Sequence, residues 1–172
     1  NINNANKLSL RYNYTKNMSW RPTNGNSNNA GYRNRSMDRI SQYSMAFSNS
    51  LYSMDNIVNS FSLDLNSRLS DKVANQFLAT YTKINDIRGS NSDKFPFIDI
   101  MYDDDQNSST PYPGEPYISA GYELFTWNNG VRNNIFNIID NVTFALNNHK
   151  ITAGVSFEHQ MANNSYMRNG TG

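Results

Sequence analysis

Residues 151–157, Ile151-Thr152-Ala153-Gly154-Val155-Ser156-Phe157, alternate between apolar and small or polar side chains with a period of two. Successive side chains of an extended strand point to opposite faces. Ile151, Ala153, Val155 and Phe157 therefore make an oily face, while Thr152, Gly154, Ser156 and then Glu158 make a wet one. The same pattern recurs in Ser9-Leu10-Arg11-Tyr12-Asn13-Tyr14 and in Phe61-Ser62-Leu63-Asp64-Leu65-Asn66. Strands with two unlike faces belong between two unlike surroundings.

Working outward from these stretches, the alternation predicts five long strands. The first covers about residues 7–20, with Leu8, Leu10, Tyr12 and Tyr14 opposite Ser9, Arg11, Asn13 and Thr15. The second covers about 56–69, setting Phe61, Leu63, Leu65 and Leu69 against Ser60, Ser62, Asp64, Asn66 and Arg68. In the third, about 74–87, Phe77, Ala79 and Tyr81 share a face and Leu78 interrupts the other. The fourth, about 133–146, shows Val142, Phe144 and Leu146 opposite Asn141, Thr143 and Ala145, and the fifth covers about 150–160.

The connections alternate as regularly as the side chains. Ser70-Asp71-Lys72 and Asn147-Asn148-His149 read as tight turns, whereas about 21–50 and 88–132 read as long loops rich in Asn, Ser, Gly, Pro and Asp. Within the first loop Tyr43, Met45 and Phe47 alternate and suggest a strand extension. A compact soluble domain seldom carries two loops of this length, because most connections are a handful of residues long. Outer-membrane barrels join their strands by short periplasmic turns and long extracellular loops. The fold class expected is therefore all-β: an antiparallel meander of about five long strands, forming a segment of a transmembrane β-barrel. With the tight turns on the periplasmic side, Tyr12, Tyr14, Phe61, Tyr81 and Phe157 fall toward the outer end, where an aromatic girdle belongs, and Leu8, Leu69, Leu146 and Ile151 fall toward the inner one.

Composition agrees with a wall and disagrees with other classes. Of 172 residues, 37% are hydrophobic and mean hydropathy is -0.72, with 30 Asn and 20 Ser, too polar to fill a thick core. Disordered chains are poor in aromatics, yet 13% of this one is aromatic. A net charge of +1 creates no field that would gather nucleic acid. The absence of cysteine excludes disulfides and thiolate metal sites. No run approaches the length of a membrane helix, and no signal peptide opens the chain. Five strands cannot close a barrel, and unpaired backbone in lipid costs several kcal/mol per group. Beginning at Asn1 and ending in Asn169-Gly170-Thr171-Gly172, the chain is expected to be a piece of something larger.

Residues 6–14 (Asn6-Lys7-Leu8-Ser9-Leu10-Arg11-Tyr12-Asn13-Tyr14), 75–82 (Asn75-Gln76-Phe77-Leu78-Ala79-Thr80-Tyr81-Thr82), 95–100 (Phe95-Pro96-Phe97-Ile98-Asp99-Ile100), 121–129 (Gly121-Tyr122-Glu123-Leu124-Phe125-Thr126-Trp127-Asn128-Asn129) and 149–157 resemble the barrel region of TonB-dependent outer-membrane receptors, in the style of the Oar-like and SusC-like group of Bacteroidetes. The likeness spans nearly the whole chain and rests on strand and loop style. It implies a barrel of many more strands, plugged by an N-terminal domain and importing a nutrient such as a peptide or glycan. It further implies as partners outer-membrane lipid, the remainder of the barrel and plug, TonB acting through the plug, and a surface lipoprotein. No part of the plug or of its TonB-contacting segment is recognisable here. The rival reading from the residues is a secreted or surface adhesive β-domain that binds glycans through its aromatic loops.

Chemical motifs are few. Asp103-Asp104-Asp105, with Asp99 nearby, lacks the Gly and distal Glu of a calcium loop; a solvated loop is the better reading. His149 and His159 have no companion at ligand spacing, and no nucleophile arrangement or phosphate-cradling loop stands out. Neither catalysis, nor a metal, nor a cofactor is expected. Triplets such as Asn13-Tyr14-Thr15, Asn34-Arg35-Ser36, Asn141-Val142-Thr143 and Asn169-Gly170-Thr171 match the glycosylation pattern, but a chain so rich in Asn and Ser produces them by chance. Ligand contact is expected instead from Trp20, Arg21, Tyr32, Arg33 and Arg35 in the first loop and Tyr112, Tyr117, Tyr122 and Trp127 in the second. Their rings can stack on sugars while their donors fix orientation. The bland alternative is that they pack the loops together. On the wet face, Arg11, Asp64, Arg68 and Glu158 would line the lumen or meet the plug.

Overall fold

The structure, a computed structural model, describes residues 2–24, 39, 44–102 and 115–167, without the side chains of 101, 102, 115 and 116. It is all-β, apart from one 3-10 turn at Ser48–Ser50. Its strands are β1 (Asn6–Arg21), β2 (Met45–Ala46), β3 (Tyr52–Arg68), β4 (Val73–Ser90), β5 (Ile98–Tyr102), β6 (Glu115–Ala120), β7 (Gly130–Leu146) and β8 (His149–Ser165). The five long ones form an antiparallel meander in the order β1-β3-β4-β7-β8, open at both edges. They run 16 to 18 residues, or about 55 Å of extended chain. No helix among the described residues is long and apolar enough to cross a membrane.

Contacts divide the chain into two compact units. The first comprises Asn1–Lys16, Asn56–Asn85 and Val131–Asn163, and the second Asn17–Asp55, Asp86–Gly130 and Asn164–Gly172.

In the first unit, cross-strand bonds fix which side chains share a face. Ser60 pairs with Thr82 through their hydroxyls at 3.2 Å, and Thr143 with Thr152 at 3.0 Å. Asn137 donates to Glu158 at 3.3 Å, and Gln76 to Asp64 at 3.4 Å. These groups line the wet face. On the other face, the Tyr12 hydroxyl donates to Asn59 Oδ1 at 2.7 Å and the Tyr81 hydroxyl to Asn134 Oδ1 at 3.3 Å. Each phenol thus meets an amide instead of ending in an apolar surface, which suits a ring with one oily and one polar end. The tight turns follow backbone chemistry. Asn147, with φ 46, takes the left-handed conformation required at the first position of a two-residue hairpin loop, and Asn adopts it more readily than most residues. Gly154 faces Asn141, whose side chain occupies the space a Cβ would need.

The apolar residues do not gather. No hydrophobic residue among the described ones is buried, and Leu10, Tyr12, Val155 and Phe157 are each 58% to 73% exposed. The sheet is one layer thick, with its oily face open.

In the second unit the described parts of the long loops hold short strands of their own. The segments read as loops 21–50 and 88–132 contain β2, β5 and β6, which make a second sheet in the order β2-β6-β5. Met45 pairs in parallel with Ile118 and Ala46 with Ser119. Of the alternating Tyr43, Met45 and Phe47, Tyr43 lies outside the described residues; Met45 belongs to this separate two-residue strand and does not extend a strand of the meander, and the Phe47 N–H donates to the Ser119 carbonyl at 2.9 Å. β5 pairs antiparallel with β6, setting Ile98 opposite Ala120 and Asp99 opposite Ser119, with a bulge at Ile100/Met101 that accommodates Pro116. Strands this short, one of them paired in parallel and one containing proline, leave no alternation long enough to read.

Gly121 closes this sheet. Its φ of 101° lies where side chains are strained, and a Cβ there would overlap the Pro96 carbonyl oxygen. Gly121→Ala is expected to cost roughly 2 kcal/mol or more, from backbone strain and overpacking together. Hydrogen exchange should show faster exchange at the amides of Ile98, Ile100 and Ile118 with those of 151–157 unchanged; unaltered exchange throughout would contradict this account of the turn.

Candidate functional site

Two charged clusters organise the second unit, and both stand on residues whose roles are invisible to alternation. In the first, Arg39 grips Asp99 with a two-pronged contact: Nε donates to Oδ1 at 2.9 Å and Nη2 to Oδ2 at 2.6 Å. Ser119, directly opposite on β6, donates its hydroxyl to Asp99 Oδ1 at 2.7 Å. Arg39 Nη1 donates to the Asn24 carbonyl at 3.0 Å, and the guanidinium lies 4.8 Å from the centre of the Phe97 ring. The Arg39 side chain is 2% exposed and that of Asp99 20%. Such a pair, satisfied on both sides, holds Arg39 against the paired strands β5 and β6. It also removes Asp99 from any cation site, because its oxygens are already committed. Asp103, Asp104 and Asp105 lie outside the described residues.

The second cluster centres on Glu123, which is 1% exposed. Its Oε2 accepts from the Phe125 N–H at 3.0 Å and the Thr126 hydroxyl at 2.8 Å, and Arg88 Nη2 stands 3.7 Å away. The Arg88 guanidinium stacks 3.8 Å over the Tyr52 ring and lies 6.0 Å from Phe125. Phe125 stacks in turn on Tyr166, centroids 5.9 Å apart. The neighbouring Asn129 amide donates to the Phe125 carbonyl and, at 2.8 Å, to that of Met167, while its oxygen accepts from the Met167 N–H. Arg88, Glu123, Phe125 and Asn129 thereby tie together residues 52, 88, 123–129 and 166–167. No group of three or more candidate metal ligands occurs among the described residues.

The ligand-contact residues expected from sequence are described only in part. Tyr32, Arg33, Arg35 and Tyr112 lie outside the described residues. Trp20 and Arg21 end β1 and are exposed. Tyr117 is exposed on β6. Trp127 carries the Lys94 ammonium 3.4 Å from its ring centre, so its face is taken by a cation from within the insertion. Tyr122 is half-buried, and burial followed by the adjacent Glu123 carboxylate pushes its phenol above the usual value of 10. Tyr122 should therefore stay a neutral donor until strongly alkaline pH. Because the unfolded phenol ionises first, its contribution to stability is intact below pH 10 and drains away as the pH climbs from there toward the raised folded value. A tyrosinate absorbance titration should show a component above the main transition that Tyr122→Phe removes; an unchanged curve in the variant would refute the shift.

The wet face carries no ion pair of its own among these expected residues. Asp64 is met by the amides of Asn66 at 2.8 Å and Gln76, and Glu158 by Asn137. Arg68 stands 4.0 Å from Asp71 with both side chains exposed, a pair worth little.

What remains in the first unit is the open oily face of the meander. No family model, curated protein or solved structure matches the chain.

Proposed function

We propose that the chain is a wall segment of a TonB-dependent transporter of the outer membrane, and that the whole protein imports a nutrient such as a peptide or glycan. One observation carries this reading: among the described residues no apolar side chain is buried, while large apolar side chains alternate with polar ones along five long strands and so collect on one open face. Leaving a buriable Leu, Val or Phe in water forfeits roughly 1.5 to 3 kcal/mol each. A lipid environment removes that cost without a second protein layer. Strands of 16 residues or more exceed the 9 to 11 that span a bilayer, and all tight turns fall at one end with all long insertions at the other, the barrel asymmetry. The nature of the cargo, the plug, TonB and a surface lipoprotein come into the proposal from the sequence resemblance.

The soluble adhesive reading would need Leu10, Leu63, Val142 and Val155 to converge in a core, and none of the four is buried. Circular dichroism separates the two. With its two open edges paired between copies, the chain should give a β-sheet spectrum in phosphatidylcholine vesicles or zwitterionic micelles and lose it, or aggregate, in plain buffer. A monomer with the same β spectrum and a cooperative melt in buffer alone would overturn the membrane reading.

A further inference from the structure

The oily face is not uniform: its cations are confined to one end. Lys16 shares the face of Tyr12 and Tyr14 by strand alternation, and Lys83 that of Tyr81. The Tyr81–Asn134 bond places Asn134, and with it Arg132, on this face as well. All three cations are exposed and make no ion pair among the described residues; against them strand alternation sets one carboxylate on this end of the face, Asp55 on β3, which leaves it net basic. Each stands toward the insertion end of its strand: β1 ends at Arg21, β4 at Ser90, and β7 begins at Gly130. Nearer the tight turns the same face offers Leu10, Leu63, Leu65, Phe77, Val142, Phe144, Ile151 and Val155, with no Lys or Arg on it and one carboxylate, Asp140, which accepts from the Asn75 amide at 2.6 Å.

Register brings the cations together. The Ala145 N–H bonded to the Lys72 carbonyl at 2.8 Å sets β7 against β4, which puts Lys83 opposite Asn134 and Arg132 one diagonal step away, about 7 Å between Cβ atoms. The Arg68 N–H bonded to the Ala5 carbonyl at 2.7 Å likewise sets β1 against β3 and places Lys16 opposite Ile57, two strands or about 10 Å from β4. Like charges as cross-strand neighbours repel. An anion bridging them converts the repulsion into attraction, and a guanidinium beside ammonium groups matches phosphate oxygens. The rings of Tyr12, Tyr14 and Tyr81 border the strip on its apolar side, at the level where aromatic side chains meet lipid headgroups.

We infer that Lys16, Lys83 and Arg132 form a binding strip for the phosphate-bearing headgroups of membrane lipids in the leaflet at the insertion end. This rests on the wall reading and names the lipid chemistry that this face takes. Charge complementarity selects the occupant: the apolar part admits acyl chains and the strip above it admits an anion. The strip also fixes which leaflet that is, because the turn end has no counterpart.

The test measures partitioning of the full chain into vesicles of phosphatidylcholine alone and of phosphatidylcholine with a fifth of the lipid replaced by phosphatidic acid. Wild type should prefer the phosphatidic acid vesicles by on the order of a hundredfold at low salt. The triple variant Lys16→Gln, Lys83→Gln, Arg132→Gln should lose that preference and partition into phosphatidylcholine as before. The wet-face variant Lys7→Gln, Arg11→Gln should keep it. Equal partitioning of wild type into both vesicles, or an equal loss in the wet-face variant, would overturn the strip while leaving the wall reading intact. Failure of wild type to enter phosphatidylcholine vesicles would instead strike at the wall reading itself.

Discussion

Val155→Arg is expected to cost about 2 to 4 kcal/mol of stability in a bilayer, the penalty for a cation on the lipid side of a barrel strand near mid-depth. Ser156→Arg, one residue on and on the wet face, should cost under about 1 kcal/mol, because a lumen-side charge stays hydrated. Val155 is 73% exposed within the sheet, so a water-facing site would tolerate the first substitution as easily as the second. The contrast between adjacent residues is therefore the informative quantity, and urea titration of both variants refolded into phosphatidylcholine vesicles measures it. Equal midpoints would mean that both faces meet the same solvent.

Arg39→Ala should be the most damaging single change in the second unit. It strands the Asp99 carboxylate against Ser119 with its two strongest donors gone, and breaking such a buried pair costs about 3 to 5 kcal/mol. Removing both charges as Arg39→Met with Asp99→Leu should restore much of the loss, since well-packed apolar side chains replace buried ion pairs at little cost. Hydrogen exchange at β5 and β6 reports the outcome: fast exchange in Arg39→Ala and recovery in the double variant. Equally fast exchange in both would show that the pair's hydrogen bonds, beyond charge neutralisation, are what the hairpin needs.

The meander was legible because each long strand repeats the same binary pattern many times. Ile151 to Phe157 and Phe61 to Asn66 carry the period unbroken, and Asn147-Asn148 announces its turn by composition. Even Leu78, which breaks the alternation of β4, does not displace the strand, because Thr80 and Thr82 beyond it keep the parity and Thr82 meets Ser60 on the wet face. Boundaries were less legible. β8 extends to Ser165 through Met161-Ala162-Asn163-Asn164, where the pattern fades but the ladder to β7 continues. The insertion sheet was not legible at all, since β2 has two residues and owes its existence to β6, far along the chain.

The candidate site followed the same division. Aromatic content pointed toward the insertions, yet their organisers are Arg39, Asp99, Arg88 and Glu123, single charged residues in unremarkable surroundings. The one signal available was that Glu123 sits between Tyr122 and Leu124-Phe125, a lone carboxylate in an apolar run that demands a partner when folded. Its partner is 35 positions earlier in the chain, at Arg88, and no local pattern connects them. The basic strip, by contrast, is written in strand parity; only the register that makes Lys83 and Arg132 neighbours had to come from the fold.

The central claim is that one face of the meander meets lipid and the other water. Single cysteines at 151 through 158, each carrying a nitroxide, can be read in vesicles against oxygen, which concentrates in lipid, and a water-soluble nickel chelate. The account predicts a strict alternation, with labels at Ile151, Ala153, Val155 and Phe157 relaxed by oxygen and those at Thr152, Gly154, Ser156 and Glu158 by nickel. A flat profile, or oxygen protection at the first four positions, would contradict it.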